Sequence, residues 1–168
     1  VERYIEQNAF VAALAAAGGS VELEEAAWRE RILGDFAQVG DQIVALRLDA
    51  SADIPDCFQL LLEKHHLLEK VMLIDLGNSA VTDAELGLLA AFRRLRRLDL
   101  RNTGVSFGGL RILREFDELT ALNLGGTSIS RWQRFRLGRR YPQLNIVIDA
   151  GTALGTLPSQ AAVLAAGR

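Results

Sequence analysis

The sequence has few of the residues that usually carry covalent cross-links, metal binding or acid-base catalysis. Its 168 residues include one cysteine, Cys57, and two histidines, His65 and His66. A lone cysteine cannot form an internal disulfide, and no Cys/His cluster has the spacing of a zinc site. The composition is compatible with a reducing compartment, and we expect no metal site and no cofactor.

Long apolar runs are also missing. The alanine-rich stretch at residues 10–17 is shorter than the roughly 18 residues needed to cross a bilayer. We therefore expect a soluble chain without a membrane-spanning segment, and the cytoplasm is the favoured compartment. The sequence opens at Val1 without an initiator methionine. Upstream residues that tether the protein to a membrane or direct its export therefore stay an open alternative.

Motifs of catalytic sites are absent as well, since the sequence has no nucleophile elbow, phosphate-binding glycine loop or dinucleotide fingerprint. The glycine pairs at 108–109 and 125–126 lie where a predicted helix starts and where a turn is predicted, and backbone freedom explains them. His65 and His66 are adjacent on a predicted helix, so at most one faces inward. We predict no catalytic residues and no enzymatic activity. A hydrolase using either histidine is the alternative left open.

Charge is nearly balanced overall but unevenly distributed. The formal net charge is -2, with 6 basic and 13 acidic residues in 1–70 and 13 basic and 8 acidic residues in 71–168. Twelve arginines and four acidic residues fall within 93–140. Such a section can attract nucleic acid or an acidic protein, although arginine also solvates outward-facing positions. No Tyr or Trp alternates with the predicted exposed sheet positions, so no stacking surface for single strands is indicated there.

What the sequence does contain is a repeat. Residues 95–106 read LRRLDLRNTGVS and residues 119–130 read LTALNLGGTSIS, each position recurring 24 residues later. The template also fits residues 71–82 and, with a longer first unit, it fits more loosely from Ile43. A fixed period of this length is typical of a stacked solenoid, in which each unit needs neighbours to bury its apolar edge.

Helix signals lie between the predicted strands. Thr82 and Ser130 are followed three residues later by Glu85 and Gln133, which predicts two capping boxes. Ser106 predicts a further N-cap. Each of these signals directly follows a repeat turn, so we expect one helix in every repeat.

The flanks depart from the template. Residues 2–17 and 24–39 have helical spacing, a short strand is predicted at 21–23, and the first repeat helix is predicted over 55–70. The closing strand departs from the repeat register by about one residue. We expect a single domain, residues 1–168, made of an N-terminal cap (1–42), the repeats with their closing strand (43–149) and a C-terminal tail (150–168).

These repeats resemble the leucine-rich-repeat family of the ribonuclease-inhibitor-like kind. The segment VMLIDLGNSAVTD from Val71 is similar to bacterial, planctomycete-type repeats of the form L-x-x-L-x-L-x-x-T-x-V-T-D, and the cap residues 18–21 and 28–35 resemble the segment that precedes such repeats. The resemblance implies an α/β solenoid in a horseshoe arc, with parallel strands on the concave side and helices on the convex side. It also implies a protein-binding scaffold, because the family is used mostly in this way.

The family's usual asparagine, which bonds the turn backbone of neighbouring repeats, is replaced here by hydroxyl residues. Buried turn amides and carbonyls need partners, and a ladder of hydroxyls would supply them. We therefore predict a structural role for this position. Its residues are Ser51, Ser79, Thr103 and Thr127.

Strand alternation predicts the exposed face of the sheet. The leucines point inward, so the residues between them face the concave side. One exposed column is then Arg47, Asp75, Asp99 and Asn123, and the next is Ala45, Leu73, Arg97 and Ala121.

Apolar anchors beside arginine are typical of interface hot spots, so we predict that a partner protein docks on this concave face. The alternative is that neighbours such as Asp99 and Arg101 merely pair across a solvated sheet. The predicted site residues are Met72, Leu73, Asp75, Arg97, Asp99 and Arg101.

The expected function is thus a non-enzymatic protein-protein interaction module whose partner and oligomeric state the sequence does not identify. The alternative is anion or nucleic-acid binding through the arginine-rich residues 93–140. Trp132 and Phe135 follow the last full repeat, and we expect them to cover its open end rather than to form a ligand cage.

Overall fold

The computed structural model describes residues 2–24, 42–48 and 50–148. In this part of the chain the strands form one six-stranded sheet in sequence order. The first pair is antiparallel, whereas all later neighbours are parallel. An α/β architecture with a mostly parallel sheet is therefore confirmed. Its strands are β1 Gly19–Glu24, β2 Gln42–Leu48, β3 Leu73–Asp75, β4 Arg97–Asp99, β5 Ala121–Asn123 and β6 Asn145–Val147.

The parallel strands keep the register of the sequence repeat. Leu73 lies opposite Arg97, Arg97 opposite Ala121, and Ala121 opposite Asn145, each separated by one repeat period. The longer first unit pairs β2 with β3 in the same manner. The predicted departure of the closing strand is therefore wrong. Leu144 is one residue out of step with Leu119 of the preceding repeat, but it lies just ahead of β6 and is buried there.

Helical segments connect the strands. The α-helices are α1 Glu2–Ala16, α2 Ile54–Glu63, α3 Asp83–Leu86 and α4 Arg131–Arg140, and 3-10 helices span His65–Leu67, Gly87–Ala91 and Gly109–Glu115.

The connections in the two central repeats are therefore largely 3-10 rather than α-helical. Leu86 and Leu89 are buried, as are Leu110 and Leu113, and each pair is separated by three residues. Residues three apart lie on one face of a 3-10 helix, which has three residues per turn. Apolar residues spaced three apart can therefore be buried in one row by a 3-10 helix, and no full α-helix is needed. The predicted helix over 55–70 is likewise shorter, because α2 gives way to a 3-10 turn.

Both predicted capping boxes form. The Glu85 carboxylate accepts a hydrogen bond from the Thr82 backbone N–H at 2.9 Å, and the Gln133 side-chain oxygen accepts one from the Ser130 backbone N–H at 2.9 Å. Ser106 differs from its prediction. Its hydroxyl accepts from a backbone N–H two residues later at 3.0 Å, but the 3-10 helix begins at residue 109, so Ser106 is not its N-cap.

The core lies between the sheet and the helical segments. Leu46, Ile74, Leu98 and Leu122 point inward from four successive strands and are at most 1% exposed. They belong to one apolar cluster that includes side chains of the connecting segments, such as Phe58 of α2. Apolar burial of this kind is the main driving force for stacking the units.

The predicted N-terminal flank is described in part. α1 and β1 agree with the predicted helix and short strand, Phe10 and Leu14 of α1 are buried, and β1 pairs with β2. The predicted helix at 24–39 and the predicted tail at 150–168 lie outside the described residues, apart from residue 24 itself. None of the helices in the described ranges is long and apolar enough to cross a membrane.

Candidate binding surfaces

A column of short polar side chains crosses the sheet from β3 to β5. Asp75, Asp99 and Asn123 lie side by side in adjacent strands. A side-chain oxygen of each accepts a hydrogen bond from the backbone N–H two residues later, at 2.9, 3.0 and 3.0 Å. Each side chain therefore closes the turn that follows its own strand, which is a common use of aspartate and asparagine.

Arg101 joins this column from the turn after β4. Its guanidinium nitrogens lie 2.8 Å from the Asp99 carboxylate and 3.8 Å from the Asp75 carboxylate. The Asn123 side-chain amide donates to Asp99 at 3.4 Å. A Cβ on Gly77 would lie 2.8 Å from the Arg101 Nε, so the glycine makes room for the arginine. We call Asp75, Asp99, Arg101 and Asn123 the sheet-face cluster.

The prediction that this column is exposed is wrong for two of its members. Asp99 and Asn123 are 1% and 0% exposed. Their side chains fold back onto their own turns, and Arg101 pairs with the Asp99 carboxylate. In the neighbouring column Ala45 and Leu73 are also buried, so the predicted exposure is wrong for these two residues as well. Strand alternation sets the direction of a side chain, but not the atoms that cover it.

The predicted site residues are thus partly brought together. Asp75, Asp99 and Arg101 form one charged cluster, as the paired-charge alternative supposed. Met72 and Arg97 are half-buried. Met72 immediately precedes β3 and Arg97 begins β4, and the Arg97 backbone N–H donates to the Met72 carbonyl at 2.9 Å. Burial of Leu73 removes one of the two predicted apolar anchors, Met72 and Leu73, from this surface.

The hydroxyl residues of the turns act within their own repeats. Ser79, Thr103 and Thr127 each donate to the backbone carbonyl three residues earlier, at 2.6, 2.7 and 2.7 Å. Ser79 and Thr103 are buried, so these bonds satisfy carbonyls that water cannot reach. The expected link between neighbouring repeats is not made by these bonds. Ser51, the first member of the series, is exposed.

A further turn position escaped the sequence analysis. Asn78 and Asn102 have φ angles of +64° and +52°, and Gly126 occupies the same repeat position with φ of +67°. The Asn102 side-chain amide donates to the Asn78 side-chain oxygen at 2.8 Å, which links adjacent repeats. Asparagine and glycine tolerate this left-handed conformation best. The recurrence of Asn, Asn and Gly at one repeat position was the available signal.

Most of the arginines within 93–140 lie away from the sheet-face cluster and are exposed. Two of them pair with acidic neighbours, Arg96 with Glu118 at 2.9 Å and Arg114 with Glu115 at 3.0 Å. Exposed pairs of this kind contribute little to stability. In the described part of the chain, the following have no ion pair: Arg93, Arg94, Arg111, Arg131, Arg134, Arg136, Arg139 and Arg140.

The aromatic residues of α4 point outward. Trp132 and Phe135 are 66% and 54% exposed, and their rings stack with centroids 5.5 Å apart at 25°. The prediction that they cover the end of the last repeat is therefore wrong. Leu137 packs into the core instead, and at 100° per residue both aromatic residues fall on the opposite side of the helix. The aromatic pair borders a shallow, open concavity with Arg136, Arg139 and Arg140.

The histidines lie on an exposed 3-10 turn after α2. The His65 Nδ1 is 3.2 Å from a backbone carbonyl oxygen, and the His66 Nε2 is 3.2 Å from the Glu6 carboxylate. Lys64 also bonds Glu6 at 2.7 Å, and these two partners, Lys64 foremost, lower the pKa of that carboxyl. The contacts tie the turn to α1. They give the hydrolase alternative no geometric support.

The one cysteine is an interior residue of α2. Cys57 is fully buried, and its Sγ lies 3.5 Å from the Ala17 carbonyl oxygen. Burial raises the pKa of this thiol, and the nearby Asp53 and Asp56 carboxylates raise it further. A buried thiol that stays protonated is a poor nucleophile.

No protein-family model matches the sequence, and no curated protein matches it significantly. Across residues 2–24, 42–48 and 50–148, no group of three or more His, Cys, Asp and Glu side chains is placed to hold a metal ion.

Proposed function

We propose that this protein is a leucine-rich-repeat solenoid of horseshoe shape that works as a non-enzymatic protein-binding scaffold. The supporting observation is the register: strands β3 to β6 follow one another in sequence order, paired at a constant offset of one repeat period. Each unit adds one strand beside the previous one. Repeat proteins built in this way use their extended curved surface to bind partners.

The partner docks on the concave face around the sheet-face cluster. Arg101 is held between two carboxylates and its side chain is only 14% exposed, so it loses little conformational freedom when a partner binds. Met72 and Arg97 supply the accessible contacts at the edge of the cluster, because Leu73 is buried. Arginine is enriched among residues that dominate interface energies.

The test compares matched arginine variants. The wild-type protein, Arg97→Glu and Arg93→Glu are used in parallel to capture proteins from the cells of origin, with quantitative mass spectrometry. A partner of the concave face is enriched by the wild type and by Arg93→Glu, and is lost with Arg97→Glu. Thermal melting of all three proteins controls for folding. If no captured protein distinguishes Arg97→Glu from Arg93→Glu, the concave site is refuted.

A second candidate function is the binding of polyanions through the arginine-rich surface. The observation in its favour is the set of exposed arginines that form no ion pair with described residues, which contrasts with the paired Arg101. Binding of heparin or nucleic acid must then weaken steeply with salt, because each neutralised phosphate releases counterions. A logarithmic salt slope near zero would refute this candidate.

A further inference from the structure

The outward face of α4 combines an aromatic pair with a cluster of guanidinium groups. It consists of Trp132, Phe135, Arg136, Arg139 and Arg140, which border one open concavity. Both rings are more than half exposed. Large aromatic residues exposed together at one place are uncommon on a surface without a binding role.

Helix geometry brings the two kinds of side chain together. Trp132 lies four residues before Arg136, and Phe135 lies four residues before Arg139, so each ring has an arginine one turn away on the same side. The Arg136 guanidinium also lies 5.7 Å from the Phe107 ring centroid. The two rings lie in the first half of this face and the three guanidinium groups follow them, so a π surface adjoins a cationic surface over about 12 Å of helix.

Within the described part of the chain, no acidic side chain forms an ion pair with the arginines of this face. Residues 131–148 contain five arginines and no acidic residue, and every basic residue beyond Lys70 is an arginine. No ion pair with a described residue involves Arg136, Arg139 or Arg140. Guanidinium groups bind phosphate through two hydrogen bonds and stack on planar rings, which lysine does not do. A ligand with phosphate-like anions next to flat ring systems matches this combination of groups.

We propose that the outward face of α4 binds single-stranded nucleic acid. Unpaired bases extend the Trp132–Phe135 stack, and Arg136, Arg139 and Arg140 contact the flanking phosphates. A single strand presents unpaired bases next to phosphates, which matches the adjoining ring and guanidinium surfaces of this face. In a duplex the bases are stacked internally, and an acidic peptide offers carboxylates with no regular π surface. The proposal deepens the second candidate function by naming its ligand and its site.

The probe is a fluorescein-labelled 15-mer of deoxythymidine, measured by anisotropy with the full chain. Its competitors are an abasic 15-mer with the same phosphates, a duplex of equal length and polyglutamate. Loss of one stacked base corresponds to about 1 to 3 kcal/mol, or about 5- to 140-fold in affinity. We expect the abasic oligomer to bind weaker by a factor in this range, and polyglutamate and duplex to compete poorly.

Three exposed-site variants locate the binding. Trp132→Ala/Phe135→Ala removes the preference for thymidine over the abasic strand, and Arg139→Gln/Arg140→Gln weakens the binding of both strands. Arg93→Gln/Arg94→Gln, also exposed, is the matched control and leaves the base preference intact. The strand quenches tryptophan fluorescence in the wild type, and this quenching is lost in Trp132→Leu. Melting curves establish that each variant is folded.

The outcomes separate base stacking from the other proposals. Equal affinity for the thymidine and abasic strands overturns the stacking site, although salt-sensitive binding of both would still support a general polyanion surface. Polyglutamate binding as tightly as the thymidine strand overturns the nucleic-acid ligand in favour of an acidic protein. None of these variants touches Met72 or Arg97, so the concave protein site succeeds or fails independently.

Discussion

The sheet-face cluster and the outward face of α4 both use arginine, but they treat its charge in opposite ways. Arg101 lies between Asp75 and Asp99, and its side chain is 14% exposed. On α4 the arginines lie beside stacked rings, in a segment without acidic residues. Charges that are satisfied internally stabilise the turns of the sheet. Charges left to solvent are available to a ligand, so the two faces should respond differently to mutation.

The largest effect is expected where both faces depend on the common core. Leu98 is fully buried in β4 between neighbouring strands, and Leu98→Ala should destabilise the protein by about 2 to 5 kcal/mol through lost burial and a cavity. Leu88→Ala is the control, because Leu88 is 39% exposed. Chemical denaturation measures both. A Leu98→Ala protein that unfolds like the wild type would show that the strand register, which places Leu98 in the core, is wrong.

The next largest effect is expected for Arg101, the arginine of the sheet-face cluster. Arg101→Ala leaves the buried Asp99 carboxylate without its 2.8 Å partner, and losing a hydrogen bond to a charged group costs about 1.5 to 3 kcal/mol. Arg139→Ala on the exposed side of α4 should change the unfolding free energy by less than about 0.5 kcal/mol. Equal losses of unfolding free energy for Arg101→Ala and Arg139→Ala would mean that the arginines of the two faces do not differ in their contribution to stability.

Gly77→Ala tests the same cluster without removing its charges. The new Cβ would come within 2.8 Å of Arg101 Nε and displace that side chain. We expect a loss of about 1 to 3 kcal/mol, typical of overpacking. Combined with Arg101→Ala, the two losses should be less than additive, because both disrupt the same contact. A fully additive double-mutant cycle would contradict the proposed displacement.

The capping boxes allow a smaller and pH-dependent test. The Thr82 hydroxyl and then its backbone N–H lower the pKa of Glu85. The unfolded state therefore binds more protons than the folded state near the ordinary glutamate pKa of about 4.3. The stability that the ionised Glu85 carboxylate contributes is fully present above that pH, and it is lost as the pH falls through the lower folded-state pKa.

Thr82→Ala should cost about 1 kcal/mol at neutral pH and progressively less in acid. Ser130→Ala, in a box whose partner is the neutral Gln133, should cost a similar amount without this acid dependence. Thermal unfolding between pH 3 and pH 7 compares the two variants. An identical pH profile for both would refute the role of the Glu85 carboxylate.

The smallest effect is expected for the aromatic pair of α4. Because Trp132 and Phe135 are largely exposed, Trp132→Ala and Phe135→Ala should each shift the unfolding free energy by less than about 0.5 kcal/mol. Losses above about 2 kcal/mol, typical of a buried aromatic residue, would show that the pair covers the core after all.

The sequence by itself determined the spacing of the units, the position and register of strands β2 to β5 and both capping boxes. These features depend on local patterns: apolar residues at a fixed period must share one buried face, and a cap contacts residues only three positions away. The asparagines and glycine of the left-handed turn position were equally readable from their recurrence. The apolar residues that recur three positions apart in the connecting segments also indicated 3-10 helices.

Only the tertiary structure decided which surfaces are covered. The burial of Asp99 and Leu73 and the exposure of Trp132 depend on side chains contributed by other turns and strands, which no local period encodes. Arg101 reaches back over the sheet because Gly77, at the equivalent position of the preceding repeat, leaves space for it. Whether a side chain is exposed depends on the residues that pack around it. Its direction is set locally by the strand or helix to which it belongs, but its contacts are not.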